Sequence, residues 1–137
     1  MDTAYDPSAC IRRLQQAMND HDLEAMTDCF HPDYQSTFPA HPERAFRGHE
    51  SMRANWSRIF AGVPDLDTKL LRCSVDGDTV WSEWEWQGHQ RDGAPFEMAG
   101  VTVQGVKDGR IAWARLYMEP VQHEGETARQ AVEEAVR

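Results

Sequence analysis

Three Asp-Gly dipeptides divide the second half of this chain at even intervals. They are Asp76-Gly77, Asp92-Gly93 and Asp108-Gly109. Asp-Gly tolerates the left-handed backbone that a tight hairpin requires, so each dipeptide predicts a reversal between antiparallel strands. The runs between them alternate with a period of two, which predicts a meander of four strands. The predicted strands are residues 66–75, 79–88, 95–106 and 110–119.

The first half of the chain has helical periodicity instead. Ile11, Leu14 and Met18 recur at helical spacing and predict an amphipathic helix from Ser8 to about Asn19. Asp22 is placed to cap a second helix, whose predicted buried stripe is Leu23, Met26 and Phe30 and which ends before Pro32. A third helix is predicted from Gly48 to Gly62, and a short strand from Tyr34 to Phe38.

This order of elements predicts one α+β domain in which three helices pack on the concave face of a strongly curved, mostly antiparallel sheet. We expect the domain to span residues 8–121, after an N-terminal extension at 1–7. Residues 122–137 form a tail with weak helical periodicity, which predicts a partly helical or frayed end.

Composition limits the partners that this domain can have. Fourteen Lys and Arg against twenty-three Asp and Glu give a net charge of −9, which disfavours nucleic acid and anionic membranes. The three cysteines are far apart and lack metal-ligand spacing, so we expect no metal site, no disulfide framework and a cytoplasmic location. No leader, spanning segment, Gly-rich dinucleotide motif or Walker loop is evident, so no cofactor is predicted.

Residues 8–121 resemble the SnoaL-like branch of the nuclear-transport-factor-2-like superfamily. The resemblance lies in the order and spacing of several short segments. They are Asn19-Asp20-His21-Asp22-Leu23, His31-Pro32-Asp33-Tyr34, Phe46-Arg47-Gly48-His49-Glu50, Pro64-Asp65, Asp108-Gly109-Arg110-Ile111 and Arg115-Leu116-Tyr117. The resemblance implies a cone, in which a bent sheet wraps around the first helices and encloses a ligand cavity.

The same resemblance implies activities that range from ketosteroid isomerases, epoxide hydrolases, dehydratases and polyketide cyclases to binding modules without catalysis. By rough alignment, the base, the acid and the tyrosine of ketosteroid isomerase fall at Phe38, Val101 and near Leu14. The charged residues of limonene epoxide hydrolase fall at Trp84, Trp86 and Leu116. Both of these routes are therefore disfavoured.

Strand alternation predicts which side chains face the cavity. On the last three strands the inward sets are Val80, Ser82, Trp84 and Trp86; Ala99, Val101 and Val103; and Ala112, Ala114, Leu116 and Met118. With the helices and the early strand, the predicted ligand-binding residues are Leu14, Met18, Phe38, Trp56, Phe60, Ser82, Trp84, Trp86, Val101, Leu116 and Met118. A small apolar molecule is the expected ligand.

Three residues are candidates for catalysis. Glu97 shares the predicted inward parity of Val101 and would act as a base next to a carbonyl; the alternative is a solvated glutamate near a hairpin. Tyr34, on the same strand face as Ser36, would donate a hydrogen bond to a developing oxyanion, or is a core tyrosine. Asp20 matches the place of a catalytic aspartate in some dehydratase-like relatives, or is a turn residue.

The proline-rich loop offers a further set of polar residues. His41, Arg44 and His49 lie in or just after it, where they would reach over the cavity and bind an acidic or carbonyl-bearing ligand. The alternative is that they are solvated loop residues.

The outward sheet set mixes large aromatics with both signs of charge. It comprises Trp81, Glu83, Glu85, Trp113, Arg115, Tyr117 and Glu119. Such a face favours a homodimer, although cross-strand pairing within one chain would also satisfy it. The sequence therefore predicts a cofactor-independent isomerase, dehydratase or cyclase that uses acid-base chemistry, with a non-catalytic ligand-binding or dimerisation module as the alternative.

Overall fold

Helices and strands occupy the places that the two periodicities predict. The computed structural model describes residues 6–137. Its helices are α1 (Ser8–Asn19), α2 (Leu23–Asp28), α3 (Gly48–Gly62) and α4 (Ala128–Ala135), with a short 3-10 helix at Pro42–Arg44. Its strands are β1 (Phe30–Thr37), β2 (Phe46–Arg47), β3 (Asp67–Asp76), β4 (Thr79–His89), β5 (Pro95–Lys107) and β6 (Arg110–Pro120).

The strands form one mixed sheet of six, in the order β2-β1-β6-β5-β4-β3, that does not close into a barrel. Only β1 and β6 run parallel, and every other neighbouring pair is antiparallel. Buried side chains of α1, α2 and α3 share one core with those of the sheet. The predicted α+β cone with helices on one face of a curved sheet is confirmed.

All three Asp-Gly dipeptides lie at chain reversals. Gly77 and Gly93 have φ angles of 61° and 88°, which glycine adopts without steric cost. Asp108 and Gly109 both have positive φ, 54° and 75°, as a two-residue type I′ turn requires. These turns set the register of the β3 to β6 meander.

The region between α2 and the loop was predicted wrongly. Phe30 belongs to β1 rather than to the second helix, and His31-Pro32-Asp33 lies inside that strand. The pairing of β1 with β6 shifts register between Phe30 and Gln35, so Pro32 sits where the ladder is irregular and no N–H is needed. The two-residue strand β2, which pairs with Gln35 and Ser36, was not predicted.

The inward parity predicted for β5 was also wrong. Ser82 lies directly opposite Thr102, and Trp84 opposite Gly100, and directly opposed residues share a face of the sheet. Val101 and Glu97 therefore face outward. Both faces of β5 carry small or apolar residues, so hydropathy alone did not separate them.

One inward assignment on β6 fails for a related reason. A register shift between Gly105 and Val106 places Ile111, fully buried, where alternation predicted Ala112 to face inward. A bulge inverts the faces of every residue beyond it, and sequence alternation cannot locate it.

The C-terminal helix stands apart from the core. Residues 1–5, which include most of the predicted N-terminal extension, lie outside the described residues. Helix α4 begins at a capping box in which Thr127 and Gln130 bond each other's backbone, and its residues are exposed. Within residues 6–137, none of the helices is long and apolar enough to cross a membrane.

Candidate functional site

A cavity region lies between the helices and the concave face of the sheet, and it consists of two neighbouring chambers that share part of their walls. The inner chamber is small, about 50 Å³, and lies among α1, α2 and the deep ends of β4, β5 and β6. The outer chamber measures about 350 Å³, which is within the range of small-molecule sites. Both chambers are lined by Phe30, Tyr34, Trp56, Trp86 and Leu116.

The outer chamber is predominantly apolar. Its further wall residues are Ser36, Phe38, Arg44, Phe46, Met52, Asn55, Arg58, Ile59, Met98 and Met118. Trp56 and Trp86 pack edge to face with ring centroids 5.3 Å apart, which holds both indoles in place. Within residues 6–137, no Asp, Glu or His side chain lines either chamber.

Two buried polar atoms of the outer chamber lack hydrogen-bond partners. They are the Oγ of Ser36, whose residue is 1% exposed, and the Nε1 of Trp86, whose residue is 8% exposed. A buried polar group without a partner costs about 1–3 kcal/mol, and native proteins contain few of them. A polar atom of a ligand or a water molecule in this chamber would satisfy both of them.

Tyr34 adds a third polar group to the same wall. Its side chain is buried and forms no hydrogen bond of good geometry with residues 6–137, while its ring packs edge to face on Phe30 at 4.6 Å. Burial raises the pKa of Tyr34 to about 12, and the neighbouring Ser36 hydroxyl opposes that rise. The phenol therefore stays protonated near neutral pH and is available as a donor.

The polar side chains that line only the inner chamber, Trp84, Thr102 and Gln104, have hydrogen-bond partners, in contrast to Ser36 and Trp86 in the outer one. Trp84 Nε1 donates to Ser82 Oγ at 2.8 Å and to Thr102 Oγ1 at 3.1 Å. Ser82 Oγ and Thr102 Oγ1 are themselves 2.7 Å apart, and Gln104 closes the group. This network belongs to the core, and it leaves the outer chamber as the place where a ligand meets open donors.

The mouth of the outer chamber carries two cations. Arg44 comes from the short 3-10 helix, and Arg58 from the same face of α3 as Asn55. Both arginines are exposed, and neither guanidinium group forms a hydrogen bond or an ion pair with any of residues 6–137. The opening of the cavity is therefore positively charged although the chain as a whole is acidic.

Eight of the predicted ligand-binding residues line the cavity. Leu14, Met18 and Trp84 are in the inner chamber, Phe38 and Met118 in the outer one, and Trp56, Trp86 and Leu116 in both. Three others do not line either chamber. Phe60 stacks on His21 at 4.8 Å, Ser82 is taken up by the inner network, and Val101 faces outward.

Of the three catalytic candidates, only Tyr34 lies in the cavity. Glu97 is on the outer face opposite Gln87, and its carboxylate bonds His123 Nε2 at 2.7 Å. Asp20 is exposed at the end of α1 and accepts a hydrogen bond from Gln16 at 3.0 Å. Neither carboxylate can reach a molecule in either chamber without a large rearrangement.

The loop residues separate in the same way. Arg44 lines the outer chamber, whereas His41 hydrogen-bonds Glu119 at 2.7 Å and His49 hydrogen-bonds the carbonyl of Phe30 at 2.7 Å. Both imidazoles therefore anchor the loop and α3 to the sheet. Among the residues that the structure describes, no three His, Cys, Asp or Glu side chains gather closely enough to hold a metal ion.

Several lining residues were missed by the sequence analysis. Met52, Asn55 and Ile59 lie on the same face of α3 as Trp56, at spacings of three and four residues, so helical periodicity was a usable signal. Met98 follows from the corrected register of β5. Arg58 carries no signal in the sequence, because exposed arginines are common on helices.

The family model for the SnoaL-like domain matches residues 11–114. The chain belongs to the SnoaL-like domain family. The match spans α1 to the middle of β6 and so includes every element that lines the two chambers. No curated protein matches the chain in sequence.

Solved structures of this SnoaL-like chain's relatives share its fold. Wild-type IdmH from Streptomyces antibioticus, a proposed polyketide cyclase, is 25% identical with a TM-score of 0.69, over 84% of this chain and 93% of that one. A loop-truncation variant of IdmH reaches 28% identity and a TM-score of 0.71, over 83% and 93%. A proposed isomerase from Bacillus subtilis is 21% identical with a TM-score of 0.73, over 82% and 86%.

Proposed function

We propose that this SnoaL-like protein is a cofactor-independent cyclase or isomerase that acts on an apolar, carbonyl-bearing molecule in the outer chamber. The observation that carries the proposal is a set of buried polar groups in that chamber: Ser36 Oγ and Trp86 Nε1, which lack partners of good geometry, and the protonated phenol of Tyr34. The likeness to IdmH, a proposed polyketide cyclase, supports the same class of reaction.

The donors define the chemistry that the chamber supplies. A carbonyl oxygen placed among them would gain hydrogen bonds as it becomes an enolate or alkoxide, so the transition state is stabilised more than the ground state. Among residues 6–137, no carboxylate or imidazole lines the chamber to take a proton. The best substrate is therefore one with an acidic C–H between two carbonyls, which loses its proton to water while the protein stabilises the resulting oxyanion.

The apolar wall contributes in a second way. Trp56, Trp86 and Leu116 would fold a flexible chain so that its reacting carbons approach each other, which lowers the entropic part of the barrier. In such a ring closure the enolate carbon attacks a second carbonyl carbon, and the new alkoxide takes a proton from water. Excluding bulk water from the rest of the chain would favour one ring size over others.

The test is to extract the protein under native conditions, identify any cavity ligand by mass spectrometry, and follow its conversion. A linear diketone with a tethered ketone serves as a general probe of ring closure, read by chromatography. Tyr34→Phe and Trp86→Phe each remove one donor and should lower the rate by about a hundredfold, the usual effect of losing one such donor. Glu97→Gln is the matched control on the outer face and should leave the rate unchanged.

A second candidate function is ligand binding without catalysis, and the absence of a carboxylate or imidazole from the chamber walls favours it. In that case a molecule that co-purifies would be recovered unchanged after long incubation. Tyr34→Phe would then weaken its binding but alter no reaction. Unchanged recovery together with no ring closure of the probe would replace the enzyme proposal with this one.

We also propose that the outer sheet face pairs with a second copy of the chain. Trp81, Trp113 and Tyr117 are 51%, 37% and 40% exposed there, which is unusual for large aromatics. Arg115 has no carboxylate partner and Glu85 no cation within residues 6–137, so a two-fold axis could join them. Sedimentation should show a dimer that Trp81→Glu with Trp113→Glu converts to a monomer.

The proposed compartment is the cytoplasm. The three cysteines are all free thiols in the described structure, with Cys10 and Cys29 buried. Reduced, unpaired cysteines are usual in a reducing compartment. Localisation of a tagged chain would test this proposal.

A further inference from the structure

We propose that the natural ligand carries a carboxylate, which Arg44 and Arg58 hold at the mouth while the apolar body fills the outer chamber. This inference rests on the proposed function, since it names the substrate class for the same chamber. Its first support is the wall itself, because these two arginines are the only ionised side chains that the described part of the chain contributes to it. A neutral apolar ligand would need neither.

The second support is that both guanidinium groups are unpartnered in an acidic chain. Arg12, Arg53, Arg72 and Arg129 each form an ion pair with a carboxylate. Arg44 and Arg58 form none with residues 6–137, although acidic residues outnumber basic ones by twenty-three to fourteen. Exposed arginines without an ion pair also occur elsewhere, at Arg110 and Arg115, but Arg44 and Arg58 share one opening, where they repel each other and a bound anion would be stabilised.

The third support is the arrangement of charge along the chamber. Tyr34, Ser36 and Trp86 lie in the buried, apolar part of the chamber wall. Arg44 and Arg58 belong to the same wall but are exposed to solvent. An anion at the exposed end avoids the desolvation that the apolar interior would impose. A carbonyl in the body of the same molecule is then free to meet the donors.

A carboxylate suits these groups. The guanidinium fork matches its planar pair of oxygens with two parallel hydrogen bonds. Asn55, one helical turn from Arg58 on the same face of α3, offers an amide donor beside it. The site would thus orient the ligand with its acid outward and its reacting carbons inward, and in a chain whose net charge is −9 these two arginines make the opening locally favourable for an anion.

The test compares three probes of the same apolar body: para-phenylbenzoate, its methyl ester, and para-phenylbenzyl phosphate. Dissociation constants come from calorimetry and from quenching of the indole fluorescence of Trp56 and Trp86. The wild-type chain should bind the acid about tenfold or more tighter than the ester. Added salt should weaken binding of the acid and leave that of the ester nearly constant.

Arg44→Gln and Arg58→Gln should each weaken binding of the acid about fivefold, as expected for an exposed ion pair, and leave the ester within twofold. Arg110→Gln is the matched control, because Arg110 is exposed, lines neither chamber and forms no ion pair with residues 6–137. It removes the same charge elsewhere and should change neither constant.

The outcomes separate this inference from the proposed function. Equal binding of acid and ester would overturn the proposal that the arginines bind a carboxylate, and so would arginine variants that behave like Arg110→Gln. Either result would leave the apolar chamber as the binding site. Tighter arginine-dependent binding of the phosphate would overturn the carboxylate in favour of a phosphate ester. Met98→Trp, or Ile59→Phe if that variant does not fold, fills the chamber; unchanged binding of both acid and ester would overturn the proposed function itself.

Discussion

Replacing Tyr34 by Phe tests whether its hydroxyl is held for a ligand or for the fold. The side chain is buried, and within residues 6–137 its hydroxyl has only the Ser36 hydroxyl as a weakly interacting polar neighbour. Removing it should leave the free energy of unfolding at pH 7 unchanged or raise it by up to about 1 kcal/mol, because a buried hydroxyl without a partner is a net cost. A hydroxyl that served the fold would show the opposite sign.

The same variant should change how stability depends on alkaline pH. Burial raises the pKa of Tyr34 from 10.0 to about 12, so the unfolded chain loses this proton first. The contribution of this group to the free energy of unfolding is constant below pH 10 and decreases as the pH rises from 10 through 12. The total decrease is about 2.7 kcal/mol for a shift of two pKa units. At pH 11 the expected loss is about half of that, and Tyr34→Phe should abolish it.

The assay is urea unfolding at pH 7, 10 and 11, followed by tryptophan fluorescence and circular dichroism. Tyr117→Phe removes a hydroxyl from the exposed outer face, so the difference between the two variants isolates the effect of burial. A loss of more than 1 kcal/mol at pH 7 in Tyr34→Phe would refute the reasoning, because it would mean that the hydroxyl has a structural partner. It would also remove Tyr34 from the set of open donors.

Two further changes test the packing around the site. Gly100→Ala would place a Cβ 2.1 Å from the backbone oxygen of Tyr117, so we expect the free energy of unfolding to fall by about 3 kcal/mol or more, or the chain to be insoluble. The control is Gly62→Ala, which has open space around the added Cβ and should be neutral or slightly stabilising. Trp84→Phe leaves Ser82 without its indole donor and should cost about 1–3 kcal/mol in urea unfolding, with no direct loss of outer-chamber donors. A neutral Trp84→Phe would mean that the inner network does not stabilise the core.

The hairpins and the three helices were predictable from the sequence because their causes are local. Asp108-Gly109 adopts the turn conformation that its residue types favour, and Gly48 to Gly62 forms the helix that its spacing indicates. The alternation of Val80 to Trp86 also identified the inward face of β4, since that strand has aromatics and charges on opposite sides.

The cavity chemistry was less predictable because it depends on register. Glu97 shares its strand face with Val101, so the prediction that Val101 faces inward also placed Glu97 in the cavity. In the structure Gly100 and Thr102 lie opposite the inward residues Trp84 and Ser82, so Val101 and Glu97 both face outward. One residue of register inverts a strand, and β5 has no hydropathy contrast that would reveal the error.

The sequence by itself determined the α+β order, the turns and an apolar inner surface, because each follows from contacts among residues near one another in the chain. Only the tertiary structure decided which polar atoms share the outer chamber. Ser36, Trp86 and Arg58 come from β1, β4 and α3, and nothing local to any one of them specifies the others. A chamber that first appeared to need Glu97 as its base instead offers donors on its wall and two arginines at its mouth.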